Sequence, residues 1–147
     1  MQGKKDYQGK LFANFQLSER IPKHNFYRSL KALLDLNFLY PITKQYYGIS
    51  GQKSIDPVVF FKLCLVGYLE NIISDRNLIQ HSAMRLDILY FLGYDIDESL
   101  PWHSTISCTR QLYPEEVFER VFTKVLSMCV AKGMVNGQCR YGSPRYY

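Results

Sequence analysis

The run Trp102-His103-Ser104-Thr105-Ile106-Ser107-Cys108-Thr109-Arg110-Gln111-Leu112 is the stretch whose side chains best suit directed polar chemistry. Started as a helix at Ser104, it presents His103, Ser104 and Thr105 in its first turn, with Arg110 and Gln111 about two turns further on. Helix N-termini and hydroxyls suit phosphate oxygens, while Arg and Gln hydrogen-bond base edges, which is the chemistry of a DNA recognition helix. The same residues also fit a polar surface helix capped by Ser104, with Arg110 free to pair with Glu115, Glu116 or the Asp97-Glu98 loop.

Other candidates are weaker. Asp95, Asp97 and Glu98 cluster as a Mg²⁺ site would require, but a solvated turn between two helices, anchored by Ile96, explains them better. His24, His81 and His103 are isolated in sequence. The cysteines at 64, 108, 129 and 139 lack the close spacing of a zinc site and any neighbour that would activate a thiolate, so they are read as reduced structural thiols. There is no Walker loop, no G-x-S-x-G elbow and no His pair at metal spacing. No catalytic residue and no metal site are assigned.

Charge points to a partner. Of 18 Lys and Arg and 13 Asp and Glu, residues 1–31 hold seven bases against two acids, residues 32–119 six against eleven, and residues 120–147 five against none. Basic ends flanking a more acidic middle can neutralise phosphates and release counterions, so Arg76 and the arm residues Lys4 and Lys5 join the candidate DNA contacts. With 147 residues, 47% of them apolar, the chain has the size and mix of one globular domain. Its apolar runs are too short to span a membrane and no secretory leader is evident, so a cytoplasmic protein with no membrane partner is expected.

The elements that must position these residues read as helices throughout. Phe26, Leu30, Leu33 and Leu34 recur at helical spacing within about residues 23–36, before Asn37 and Pro41. Tyr46 to Lys53 reads as a connection too polar to bury. Asp56 and Pro57 form a start signal, followed by a helix apolar almost all round that should sit centrally. Ser74 and Asp75 open a short helix, Leu86 to Leu92 another that Gly93 stops, with a turn near Ser82 between them. Pro114 begins the last helix, whose stripe of Val117, Phe118, Val121, Phe122, Val125 and Cys129 ends at Lys132 and Gly133. The expected core includes Phe61, Leu65, Leu69, Phe118, Val121, Phe122 and Val125. Met134-Val135 could open a short strand. The predicted fold is therefore all-α, a compact multi-helix domain with helix-turn-helix-like elements: a basic arm over 1–20, a helical domain over 21–137 and an irregular basic tail over 138–147.

Several segments line up in order: Ile21-Pro22-Lys23-His24 with Arg28, Ser54-Ile55-Asp56-Pro57, Gly67-Tyr68 with Ser74-Asp75-Arg76, Phe91-Leu92-Gly93-Tyr94-Asp95-Ile96-Asp97-Glu98, and Pro101-Trp102-His103-Ser104-Thr105. This ordered set resembles the N-terminal domain of bacterial insertion-sequence transposases of the InsH type, over about residues 20–137. The resemblance implies an all-helical module that binds the terminal inverted repeats of a mobile element and precedes a ribonuclease-H-like domain. In that domain three carboxylates hold two metal ions, Mg²⁺ in a full-length member.

The sequence departs from such relatives in two places. Residues 138–147 contain no Asp or Glu, and the last acid of the chain is Glu119, so the expected catalytic strand is missing and the chain reads as a truncated or remnant copy. Trp102 stands where relatives often carry an acid. The expected function is thus DNA binding in transposition without catalysis, with self or a full-length transposase as further partners. The alternative is a helical protein–protein interaction domain with no DNA role.

Overall fold

The computed structural model describes residues 2–12, 14–48 and 54–133. The residues expected to form the strand and the tail, Met134 to Tyr147, lie outside them. Among the described residues there is no strand, and eight α-helices carry the fold: α1 (Leu17–Arg20), α2 (Phe26–Leu33), α3 (Leu39–Thr43), α4 (Pro57–Leu69), α5 (Asp75–Ala83), α6 (Leu86–Leu92), α7 (His103–Leu112) and α8 (Glu115–Ala131). Among those residues no helix is long and apolar enough to cross a membrane. The all-α expectation holds.

The helix punctuation follows local chemistry. The Asp56 carboxylate accepts from the Val58 N–H at 2.8 Å, and Pro57 takes the first position of α4, where a missing N–H costs nothing. Ser74 Oγ accepts from the Asn77 N–H to open α5, and Gly93 ends α6 in the left-handed region at φ 86°. The turn expected near Ser82 falls at Met84-Arg85, and Ser82 itself is buried inside α5. Helix α2 is shorter than the expected 23–36. It is entered through Asn25, whose side chain accepts from the N–H groups of Tyr27 and Arg28, and it gives way to extended backbone at Leu34. Pro41 does not break α3, because it falls in the first turn, where N–H groups have no intrahelical partner.

Helix α6 lies innermost, packed against α1, α2, α4 and α5. Its C-terminal carbonyls are capped by two lysines from neighbouring helices: Lys31 Nζ donates to the Tyr90 carbonyl at 2.7 Å and Lys62 Nζ to the Phe91 carbonyl at 2.9 Å. Each ammonium also lies over the aromatic ring of the residue it caps. Cations at a helix C-terminus complement its dipole, and burial lowers the pKa of both amines. Helix α4 runs beside α6 and supplies the fully buried Phe60, Leu63 and Val66. A tight turn joins α4 to α5, and a Cβ on Gly67 would come within 3.3 Å of the Ile72 carbonyl oxygen.

Three expected burials are corrected. Phe122 is 58% exposed, because α8 turns Val117 and Val121 toward the core and leaves Phe122, Leu126 and Val130 on its outer side, and Leu69, the last residue of α4, is 42% exposed. Beside them a cleft of about 400 Å³ runs between α4 and α8, lined by Phe61, Leu65, Phe118, Val121, Phe122 and Val125. Ile96 is 53% exposed and anchors nothing. The connection after α3, in turn, is less polar in effect than its composition suggests. Tyr46 and Tyr47 pack on the core, and the Tyr47 hydroxyl, hydrogen-bonded to that of Tyr113, also donates to the Ile55 carbonyl.

Candidate nucleic-acid interface

Helix α7 begins at His103, one residue before the expected start. Its N-cap is Trp102, which makes no side-chain cap, so Ser104 and Thr105 lie within the first turn and cap nothing. This corrects the hydroxyl-cap reading. A hydroxyl caps only from the residue before the helix, where it faces the free N–H groups. Within the helix, Thr109 donates back to the carbonyl of Thr105. The exposed side of α7 carries Ser104, Cys108 and Gln111, next to a shallow depression of about 460 Å³ that also touches Ser54 and Ile55. His103 and Thr105 are half-buried.

Arg110 has a partner that its sequence neighbours do not suggest. Its guanidinium donates to Asp75 Oδ1 on α5 at 2.8 Å, and Ser107 Oγ donates to Asp75 Oδ2 at the same distance. The signal was present in principle, since Asp75 is the only acid on α5, but nothing in the sequence says that α5 and α7 pack together. The same guanidinium lies 3.8 Å from Cys64 Sγ. Burial nevertheless dominates there and pushes the Cys64 thiol up to about 11, so it is an inert thiol, as expected.

A second polar network binds α2, α4, α5 and α6. The Tyr27 hydroxyl donates to Glu70 Oε1 at 2.6 Å, and Glu70 Oε2 lies 3.5 Å from His81 and 3.7 Å from Arg85. Arg85 grips Asp87 through two hydrogen bonds, and Asn25 donates to the same carboxylate. Burial would raise the Asp87 pKa, yet the bonds from Arg85 and Asn25 hold it below the usual carboxylate value. These carboxylates are all answered within the fold, and among the described residues no cluster of three His, Cys, Asp or Glu is placed to hold a metal ion.

The other basic candidates are free. Arg76 is exposed on α5, and Lys4 and Lys5 are exposed in an N-terminal segment without regular secondary structure. Among the described residues only Arg85 and Arg110, of all the Lys and Arg, pair with a carboxylate. The structure therefore brings Arg110 and Asp75 together, sets Arg76 next to them in sequence on the open side of α5, and brings Lys4 and Lys5 into no bond with either helix.

The profile of the transposase domain family DUF772 matches residues 15–112, two thirds of the chain. The chain belongs to that family. Comparison with curated proteins and with solved structures finds no match. The matched span of this transposase domain runs from just before α1 to the last residue of α7, and so includes the polar networks and both helices that carry the Arg110–Asp75 pair. Helix α8 follows it.

Proposed function

We propose that this transposase-family domain is a DNA-binding module of the InsH type, directed at the terminal inverted repeats of an insertion sequence. The observation that carries the reading is the disposition of charge on a domain of this family. Lys4, Lys5, Lys10, Lys23 and Arg76 are exposed and pair with no acid among the described residues, while Asp75, the one acid on α5, is engaged internally by Arg110, as Glu70 and Asp87 are by His81 and Arg85. Unpaired cations on the arm and on an α5 face whose one acid is neutralised suit a polyphosphate partner. On this reading the domain contributes DNA binding and needs no metal for it, and its further partners are a second copy of the chain or a full-length transposase.

The test is fluorescence anisotropy with a labelled duplex across a range of salt concentrations. Each phosphate that a lysine or arginine neutralises contributes about −0.9 to the slope of log affinity against log salt, so a chain using four or five such residues gives a slope of roughly −4. Binding that is absent, or indifferent to salt, would return the domain to the alternative of a protein–protein interaction module whose basic residues only keep it soluble.

A further inference from the structure

Resting on that DNA-binding reading, we propose that the outward face of α5, formed by Arg76, Asn77 and Gln80 with Met84 at its end, is the surface that enters the major groove and reads base edges.

Helix α5 has one buried and one open side. Leu78 and Ser82 are buried where the helix packs on α4, α6 and α7, whereas Arg76, Asn77, Gln80, Ala83 and Met84 are all exposed. At about 100° per residue these five positions fall within roughly a third of the helix circumference, so they form one contiguous stripe. Its chemistry is unusual for a solvated helix face, since it holds no acid and its three polar residues are the types that bond bases in the major groove. Arg pairs with guanine O6 and N7, Asn and Gln with adenine N6 and N7, and an apolar side chain with the thymine methyl. No side-chain hydrogen bond or ion pair to Arg76, Asn77 or Gln80 forms among the described residues, so each retains its full donor and acceptor capacity. The large apolar residues at the two ends of the stripe, Ile73 at 95% and Met84 at 85% exposure, are also uncovered. A helix with its side chains is about 10–12 Å across and so fits a major groove about 12 Å wide, and the nine residues of α5 run about 13 Å along it.

Two neighbours packed against α5 offer less. Helices α5 and α6 are joined through only Met84 and Arg85, as in a helix-turn-helix, but α6 buries Ile88, Leu89, Phe91 and Leu92 and has no face to offer. Arg110 on α7 is spent on Asp75. That contact withdraws the one carboxylate of α5 from a DNA-facing surface and fixes α5 against α7, so Arg110 is a positioning residue and not a base reader.

The experiment selects bound duplexes from a pool with about 20 randomised base pairs, using the full chain and the variants Arg76→Ala, Asn77→Ala, Gln80→Ala and Gln111→Ala, each first shown by circular dichroism to melt as wild type does. The wild-type chain should enrich a motif. Each α5 variant should lose preference at one or two positions and bind the wild-type motif roughly 5- to 150-fold more weakly, the worth of a bidentate base contact, while Gln111→Ala keeps both motif and affinity. Unchanged motif and affinity in all three α5 variants, or a motif erased by Gln111→Ala, would overturn the assignment. Salt-dependent binding by the wild-type chain with no enrichment would also overturn it, leaving the DNA-binding reading in place. No binding at all would remove both.

Discussion

Phe60 and Phe122 carry the same side chain on helices that both border the core, and their truncation separates a buried position from an apparent one. Phe60 is fully buried and its ring meets those of Phe61, Tyr113 and Phe118. Removing it from a site enclosed by aromatic rings and helix backbone combines forfeited transfer free energy with a cavity the surroundings cannot fill, so Phe60→Ala should cost about 3–5 kcal/mol. Phe122 is 58% exposed. Full burial of such a side chain is worth about 1.5–3 kcal/mol, so the part still buried contributes about 1 kcal/mol. Alanine recovers roughly half of that through its higher helix propensity, since position 122 lies mid-helix in α8. Phe122→Ala should therefore change stability by less than about 1 kcal/mol. Urea denaturation followed by circular dichroism reads both. With a slope of about 1–3 kcal/mol per molar, Phe60→Ala should lower the midpoint by about 1–5 M, while Phe122→Ala should shift it far less. A Phe122→Ala effect equal to that of Phe60→Ala would mean that α8 closes over its outer face, and the burial argument would fail.

Asp87→Asn should destabilise the protein near neutral pH. The folded pKa of Asp87 is depressed, so its contribution is full above the unfolded value of about 3.9 and disappears as pH falls through the lower folded value. The gap between wild type and variant in urea should consequently narrow towards about pH 3, and a gap independent of pH would contradict the role of Arg85 and Asn25. Arg110→Ala should lower the melting temperature, because it leaves Asp75 with only the Ser107 bond, and Arg110→Ala combined with Asp75→Ala should cost less than the sum of the single changes; strict additivity would show that the pair is not coupled. Incubated with Mg²⁺ or Mn²⁺ and duplex DNA, the chain should not nick it, and metal-dependent cleavage that copurifies with the protein would reverse that expectation.

What could be read from the sequence was local. A cap is set by one residue and its neighbours within a turn, so Asp56-Pro57, Ser74 and Gly93 mark their helix ends without reference to the rest of the chain. Burial is set by the neighbours a helix acquires in three dimensions, and there the periodicity of α8 misled. Phe118, Phe122 and Val125 continue the stripe of Val117 and Val121, but a stripe spanning a wide arc does not say which edge of it faces inward. Pairing is harder still. Glu115, Glu116 and the Asp97-Glu98 loop are all nearer to Arg110 in sequence than Asp75, yet Asp75 holds it, because the packing of α5 on α7 decides the matter.

That contact also bears on Arg110, the residue that by type best suits base reading. An arginine on a polar helix satisfies the chemistry of base reading wherever it stands, but a carboxylate that accepts from its guanidinium takes up part of its donor set, cancels its charge and fixes its direction. Asp75 has engaged Arg110, and in doing so it leaves the two faces unequal: α7 contributes the cation, α5 the acid, and after neutralisation the exposed side of α5 is left with Arg76, Asn77 and Gln80 and no negative charge. Lys31 and Lys62 show the same division elsewhere, since both are committed to the carbonyls that end α6. The cations left to meet a phosphate are therefore those the fold has not used, and among the described residues they include those on the arm, around α1 and the α1–α2 turn, at Lys44, on α5 and along α8.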